Sequence, residues 1–165
     1  MKKPCRLAKI GVLTLGLVAA TTWIQSGPPV EPPPPECDDF VTGGGWITGT
    51  PSGQNGNFGV HGGIQNGELW GHLNYVDHAT GMHVVSTAVT GYFVMVGDPL
   101  CRVIDFEVTI DGVPGTAEVI VCDHGEPGRL DSFTIFLSNG YEAGGDLGET
   151  MDGGGNIQLH RQNCN

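Results

Sequence analysis

The sequence predicts an all-β domain, built as an antiparallel meander of about eight strands. After Phe40, apolar and polar residues alternate in short runs, and none of these runs has the 3.6-residue period of a helix. The chain contains 28 glycines, and Gly, Asn and Asp separate the runs as they do at tight turns. We expect a closed or nearly closed up-and-down barrel, because closure removes exposed sheet edges. A two-sheet β-sandwich is the alternative.

The expected strands follow one another along the chain. They cover Phe40–Ile47, Gly56–Gly62, Glu68–Val76, Met82–Val96, Arg102–Ile110, Val113–Cys122, Ser132–Ser138 and Asn156–Arg161. The fourth strand is unusually long. A bend or break at Gly91 would divide it and raise the count to nine.

One hairpin has a register that can be worked out from the sequence. Asp111-Gly112 is a strong two-residue turn, because both central positions need positive φ. It pairs Ile110 with Val113 and, counting back along both strands, Cys101 with Cys122. The two cysteines then form a non-hydrogen-bonded pair, where side chains come closest. We therefore predict a Cys101–Cys122 disulfide.

The same register separates the two faces of this hairpin. The expected core face carries Ile104, Phe106, Val108 and Ile110, opposite Val119, Ala117, Gly115 and Val113. The other face places Asp105 opposite Glu118, and like charges in a cross-strand pair are unfavourable. A bulge, or a cation between the two carboxylates, would relieve the repulsion.

Two further cysteines, Cys37 and Cys164, flank the first and last expected strands. In a meander of eight strands these two strands run antiparallel, so the start of one lies beside the end of the other if they pair. A Cys37–Cys164 disulfide would then fasten the seam of the barrel. An even number of cysteines past the N-terminal segment suits an oxidising compartment.

The N-terminal part of the chain has the features of an export signal. Residues 1–26 combine four basic residues with an apolar run, Ile10 to Ala20, that is too short to span a bilayer comfortably. We expect cleavage between Thr21 and Gly27, and an uncleaved anchor over Ile10 to Ile24 is the alternative. Residues 27–36 (GPPVEPPPPE) favour an extended polyproline linker. Residues 37–165 then form a single β domain.

Removal of the signal leaves a strongly acidic protein. Four of the seven basic residues precede Gly27, whereas all 18 acidic residues follow it, so the net charge becomes about −15. Such a charge repels phosphate backbones and anionic lipid head groups. We therefore expect no nucleic-acid partner, and membrane contact only through the signal segment. The protein is expected to be secreted, periplasmic or on the cell surface.

Five segments of the domain carry a recognisable pattern. They are Thr42–Ile47 (TGGGWI), Asn57–Gly59 (NFG), Leu73–His78 (LNYVDH), Asp123–Phe133 (DHGEPG, then DSF) and Gly154–His160 (GGNIQLH). Together, over about Val41 to His160, they resemble the post-choice-of-anchor (post-COAP) domain family of exported bacterial proteins. The resemblance implies a secreted or surface-associated β module, often appended to larger extracellular proteins. It implies no activity and no site residues.

The loop from Asp123 to Asp131 is the best candidate metal site. Asp123, Glu126 and Asp131 supply three carboxylates within a short glycine-containing loop, and Ca²⁺ prefers several oxygen ligands. The spacing is not that of an EF-hand. The alternative is a turn in which the short acidic side chains accept hydrogen bonds from nearby backbone amides.

Catalytic patterns are weak in this sequence. The six histidines show neither H-x-H nor H-E-x-x-H spacing, and a G-x-S-x-G nucleophile elbow is absent. Two of the 18 carboxylates could meet in space as in a glycosidase. A carboxylate-dependent hydrolase therefore stays as one alternative function.

The strand Glu68–Val76 offers a candidate binding surface. Its alternation places Leu69, Leu73 and Tyr75 on one face and Trp70 and His72 on the other. Around the following turn, His72 with Ser86 and Tyr75 with His83 are expected as cross-strand neighbours. We take Trp70 and His72 as the residues to test for a partner-binding surface.

Three functions follow from these features. The first is an exported, non-enzymatic β module with a structural or recognition role, whose extracellular or cell-surface partner the sequence does not identify. The second is a β-barrel that carries a small apolar ligand inside. The third is the carboxylate-dependent hydrolase. No cofactor is expected apart from the possible Ca²⁺.

Overall fold

The computed structural model describes residues 30–31, 38–148 and 153–162. Every regular element in these ranges is a β-strand, and the strands form one nearly closed, barrel-shaped sheet. The expected all-β meander is therefore confirmed, and the two-sheet sandwich is not the arrangement observed. None of the described residues belongs to a helix that is long and apolar enough to cross a bilayer.

Ten strands are present in the described ranges. They are β1 (Val30–Glu31), β2 (Asp38–Ile47), β3 (Gly56–Gln65), β4 (Glu68–Asp77), β5 (His83–Met95), β6 (Cys101–Ile110), β7 (Val113–Cys122), β8 (Ser132–Leu137), β9 (Glu142–Asp146) and β10 (Gly153–Gln162). Strands β2 to β9 pair in chain order, and β10 pairs with β2. The two-residue β1 pairs with β5.

The ninth barrel strand comes from β9 and not from a break in the fourth expected strand. At Gly91 the chain continues as β5, which absorbs the irregularity in two register shifts, Ser86/Ala88 and Val89/Gly91. Strand β9 has the sequence EAGGD. Gly, Glu and Asp are uncommon in strands, so residue propensities do not predict a strand here. Its pairing with β8 through the Leu137–Tyr141 turn makes it a strand.

This extra strand changes the seam of the barrel. Because β2 to β9 alternate in direction and β10 is antiparallel to β2, β9 and β10 run parallel to each other. The last residue of β9 lies beside the first residue of β10, where the carbonyl oxygen of Asp146 closely approaches Gly153.

The hairpin of β6 and β7 has the predicted register. Cys101 pairs with Cys122 and Ile110 with Val113, and Asp111 and Gly112 have φ angles of 50° and 82°. The Cys101–Cys122 disulfide is present, as predicted. The expected core face is buried at its centre, half-buried at Ile110 and Gly115, and exposed at Val113, which is 65% exposed because it lies at the turn.

The like-charge pair on this hairpin is not relieved by a bulge within it. Asp105 and Glu118 face each other directly in an uninterrupted β6–β7 ladder. The nearest irregularity lies across the other edge, where Gly91 of β5 pairs with Asp105. Because Gly91 has no side chain, it leaves room for the Asp105 carboxylate.

Apolar side chains fill the interior of the barrel. Alternate residues of the long strands point inward, and the central ones are almost fully buried, among them Leu73, Tyr75, Ile104, Val119, Phe133, Ile135 and Ile157. The rings of Phe58 and Phe133 stack with centroids 3.9 Å apart. On β4, Leu73 and Tyr75 are buried as expected, whereas Leu69 is exposed because it lies near the β3–β4 turn.

A buried ion pair closes one end of the interior. The Arg102 side chain donates to both carboxylate oxygens of Asp39, from Nε at 2.8 Å and from Nη2 at 2.6 Å. The Tyr92 hydroxyl donates to the same carboxylate at 2.5 Å, and both partners of the ion pair are buried. Burying a charge is costly unless it is paired and hydrogen-bonded, and here both conditions hold.

Tyrosines and an aspartate occupy the other end. Tyr141 donates to Asp77 at 2.7 Å, and its hydroxyl lies 2.7 Å from that of Tyr75. Asp77 also accepts backbone hydrogen bonds from Ala79 and Thr80, which fixes the β4–β5 turn. Both ends of the barrel are thus occupied by hydrogen-bonded side chains.

Several sequence predictions lie outside the described residues. These are the signal peptide over residues 1–26, most of the linker over residues 27–36, and the Cys37–Cys164 disulfide. The outermost described pair of β2 and β10 joins Asp38 with Gln162, so the antiparallel pairing of the first and last long strands is confirmed. The second disulfide stays a prediction.

Candidate functional site

The acidic loop between β7 and β8 lies against the free edge of β10. The Asp131 carboxylate accepts the backbone N–H of Ile157 through Oδ2 at 2.8 Å, and that of His124 through Oδ1 at 3.0 Å. Asp123 accepts the backbone N–H of Leu159 at 2.8 Å. The two aspartates therefore supply the acceptors that a neighbouring strand would supply, beyond the point where β9 ends.

The third carboxylate of the loop binds side chains of the same strand. Glu126 Oε1 accepts from the amides of Asn156 at 3.3 Å and Gln158 at 3.2 Å. Burial, as the largest effect, raises the pKa of Asp131, which is fully buried. Asp131 and Asp123 accept the local backbone amides of His124 and Gly125, as in the turn weighed from the sequence, but the other partners of the three carboxylates lie on β10.

The carboxylates of this loop do not form a compact ligand set. Among the described residues, the one group of three or more metal-ligand side chains within 4.8 Å of one another is Cys101, Cys122 and His124. The two cysteines are joined in the disulfide, so only the histidine could bind an ion there. Calcium binding by Asp123, Glu126 and Asp131 stays a prediction, and it would compete with the hydrogen bonds that hold β10.

His124 fastens the loop to the preceding turn. Its Nε2 lies 2.8 Å from Asp98 Oδ2, and its Nδ1 lies 2.9 Å from the carbonyl oxygen of Leu130. Two acceptors require a proton on each ring nitrogen, which favours the imidazolium form. The hydrogen bond to Asp98, followed by that to Leu130, raises the pKa of His124.

The two residues of the candidate binding surface, Trp70 and His72, lie on the outer face of the barrel. They belong to a larger group on β2, β3, β4 and β10, which we name the aromatic–imidazole patch; its members are Phe40, His61, Trp70, His72 and His160. All five side chains are half-buried. The patch therefore joins residues from four strands.

Ring contacts connect the members of the patch. Phe40 stacks on His160 with centroids 4.6 Å apart and touches Trp70 at 5.5 Å. His61 lies 5.4 Å from Trp70 and 6.0 Å from His72. Phe40 and Trp70 can meet because Gly63 stands between them on β3, where any side chain would collide with the backbone of β2. The result is a continuous row of flat rings.

Hydrogen bonds hold His160 and His72, the histidines at the two ends of the row of rings. His160 Nε2 lies 3.0 Å from Thr42 Oγ1, and His72 Nδ1 lies 3.1 Å from Ser86 Oγ. The contact between His72 and Ser86 was expected. The β4–β5 backbone register, however, is shifted by one residue from the expected one, because Tyr75 pairs with Val84 and not with His83. The Asp77 N–H donates to the Met82 carbonyl, so the β4–β5 turn is longer than the Asp77–Gly81 turn on which the expected pairing depended.

Three members of the patch were missed from the sequence. His61 could have been found, because Asn66-Gly67 between Gln65 and Glu68 is a two-residue turn signal that places His61 opposite His72. The φ angles of Asn66 (53°) and Gly67 (78°) have the expected positive sign. Phe40 and His160 belong to strands far apart in the chain, and no local signal announces their contact.

The described surface also has an open depression of about 510 Å³ near the β8–β9 rim. Residues 49–51, Thr134 and residues 142–144 line it, and Glu142 is the one carboxylate in this lining. Retaining and inverting glycosidases use two carboxyl groups. The depression therefore does not supply the pair that such a hydrolase needs.

Comparisons with family models, with curated proteins and with solved structures find no match for this chain. The resemblance to the post-choice-of-anchor family therefore rests on the sequence motifs alone and stays a proposal.

Proposed function

We propose that this chain is an exported, non-enzymatic β module, which recognises an extracellular or cell-surface partner through the aromatic–imidazole patch. The observation that supports the proposal is the distribution of side chains over the barrel. The interior is occupied by packed apolar residues and closed by polar groups, whereas flat rings collect on the outer face. Aromatic groups on a surface are typical of recognition sites.

The two other functions receive less support. A carrier of small apolar ligands needs a chamber of several hundred Å³, and the space where it would lie is filled by residues such as Phe58, Phe133 and Ile135. A carboxylate-dependent hydrolase needs two converging carboxyl groups. The depression at the β8–β9 rim offers Glu142 alone.

Export is proposed on the signal-like N-terminus and the acidic composition. The Cys101–Cys122 disulfide is compatible with an oxidising, extracellular compartment. The post-choice-of-anchor resemblance points in the same direction, and it supports the idea of a module that works beside other extracellular domains.

Binding of the full chain to immobilised cell-wall polysaccharides and extracellular proteins tests the proposal. A partner that uses the patch should bind Phe40→Ala and Trp70→Ala at least about ten-fold more weakly, because aromatic residues at the centre of an interface carry much of its energy. The matched control is Val113→Ala, an exposed apolar residue away from the patch. Equal binding by all three variants would refute the role of the patch, and uptake of an apolar dye into the interior would favour the carrier.

A further inference from the structure

His61 and His72 face each other directly on neighbouring strands of the outer face. They are cross-strand partners in the β3–β4 ladder, and their ring centroids lie 6.0 Å apart at an interplanar angle of 41°. An imidazole bound to zinc through one nitrogen, at about 2.0–2.1 Å, has its ring centre about 3.2 Å from the ion. Two such ligands on one ion place their ring centres about 5–6.5 Å apart. The observed separation lies in this range.

The hydrogen bonds of His72 leave one nitrogen for a ligand. Ser86 Oγ lies 3.1 Å from Nδ1, and it also accepts the backbone N–H of Leu73 at 2.8 Å. When Nδ1 donates its proton to Ser86, Nε2 carries a lone pair. A hydrogen bond of this kind to the second ring nitrogen is the usual support for a metal-binding histidine.

The ring of His61 makes no hydrogen bond in the part of the chain that the structure describes. Among the described residues, His83, His124 and His160 all have a hydrogen-bond partner at a ring nitrogen, whereas His61 has none. A ring nitrogen of His61 can therefore bind a metal ion without the loss of a hydrogen bond.

The surroundings favour a cation of a definite class. Two imidazoles without a thiolate suit Cu²⁺, Ni²⁺ and Zn²⁺, whereas Ca²⁺ and Mg²⁺ require oxygen ligands. The strongly negative net charge of the chain raises the local concentration of cations.

We propose that His61 and His72 bind one divalent transition-metal ion between them, in the order of preference Cu²⁺ over Ni²⁺ and Zn²⁺, with water in the remaining positions. Ser86 positions His72 for this role. Both ligands are members of the aromatic–imidazole patch, but metal binding needs only the two imidazoles and does not depend on the recognition function proposed above.

Titration of the full chain with Cu²⁺, followed by tryptophan fluorescence, tests the site. Trp70 lies 5.4 Å from the ring of His61, so a bound Cu²⁺ should quench its emission in a saturable way. We expect His61→Asn and His72→Asn each to weaken this binding at least about ten-fold. Ser86→Ala should weaken it by about 10–100-fold, the usual effect of removing an outer partner of a ligand.

His160→Asn is the matched control, because this residue belongs to the patch but does not contact the pair. Its affinity for Cu²⁺ should lie within about two-fold of that of the wild type. All variants should unfold at a thermal midpoint close to that of the wild type, which shows that they are folded. Copper affinity that is unchanged in both His61→Asn and His72→Asn would overturn the proposal.

A measurement on the unaltered chain removes any dependence on the variants. In nitrogen-15 NMR spectra, Zn²⁺ should shift the ring nitrogens of His61 and His72 and leave those of His83 and His160 in place. Shifts confined to other histidines would show that the pair is only an aromatic contact.

Discussion

Asp105 and Glu118 illustrate at the residue scale how a favourable register can impose an unfavourable contact. Burial raises the pKa of Asp105, and burial followed by repulsion from Asp105 raises the pKa of Glu118. A carboxyl group whose pKa is higher in the folded state stabilises the fold below its unfolded pKa, and this stabilisation is lost as the pH rises through the folded pKa. At neutral pH the pair therefore costs stability.

Replacement of Asp105 by Asn should make the protein more stable at pH 7, by up to about 1 kcal/mol, because it removes one of two facing charges. The gain should shrink as the pH falls through the raised folded-state pKa values and be lost below about pH 4, the ordinary pKa of a carboxyl group. Thermal unfolding at both pH values measures it. Glu107→Gln is the control, since this exposed residue of the same strand faces Thr116. An equal gain in Asp105→Asn and Glu107→Gln would contradict the repulsion assigned to the Asp105–Glu118 pair.

At the scale of elements, the seam of the barrel is the least regular part of the fold. Strand β9 ends where β10 begins, and the carboxylates of the β7–β8 loop complete the hydrogen bonding of the β10 edge. A covered edge protects a sheet against pairing with other chains. The acidic loop thus has a structural role that its spacing alone does not reveal.

Asp131→Ala should lower the free energy of unfolding by about 3 kcal/mol, because it leaves the N–H groups of Ile157 and His124 without their charged acceptor. Urea denaturation gives the free energy, and amide exchange at Ile157 should accelerate. Glu126→Ala, in the same loop but exposed, should change stability by less than about 0.5 kcal/mol. Equal losses in the two variants would remove the argument for the seam.

For the whole molecule, stability depends on a packed interior with polar closures at its ends. The Asp39–Arg102 pair joins β2 to β6, which the sheet itself does not place side by side. It connects opposite walls of the barrel at one end. Removal of one partner from such a pair leaves the other charge buried and unpaired.

Arg102→Met should therefore destabilise the protein by about 3–5 kcal/mol. Arg161 provides a matched control, because its Nε lies 4.0 Å from the same Asp39 carboxylate but its side chain is 39% exposed. Arg161→Met should cost less than about 1 kcal/mol, as exposed ion pairs contribute little. Urea denaturation measures the free energy of unfolding of both variants. Similar losses of stability in Arg102→Met and Arg161→Met would contradict this account.

Local patterns in the sequence determined the strand class, most strand positions, and the β6–β7 hairpin with its Cys101–Cys122 disulfide. The physical reason is that alternation and two-residue turns act over a few residues, so one turn fixes a whole ladder. The Asn66-Gly67 turn carries the same information and would have paired His61 with His72. The candidate surface at Trp70 and His72 was identified for this reason as well, since the alternation along β4 places both on one face.

Only the tertiary structure decided which distant strands meet. The glycine-rich β9, the parallel seam, the Asp39–Arg102 pair and the contact of Phe40 with His160 all depend on how the sheet closes on itself. Thr42 and His160, which share a hydrogen bond, stand 118 residues apart in the chain. Such contacts follow from the summed twist and stagger of every intervening strand, and no short segment of the sequence encodes that sum.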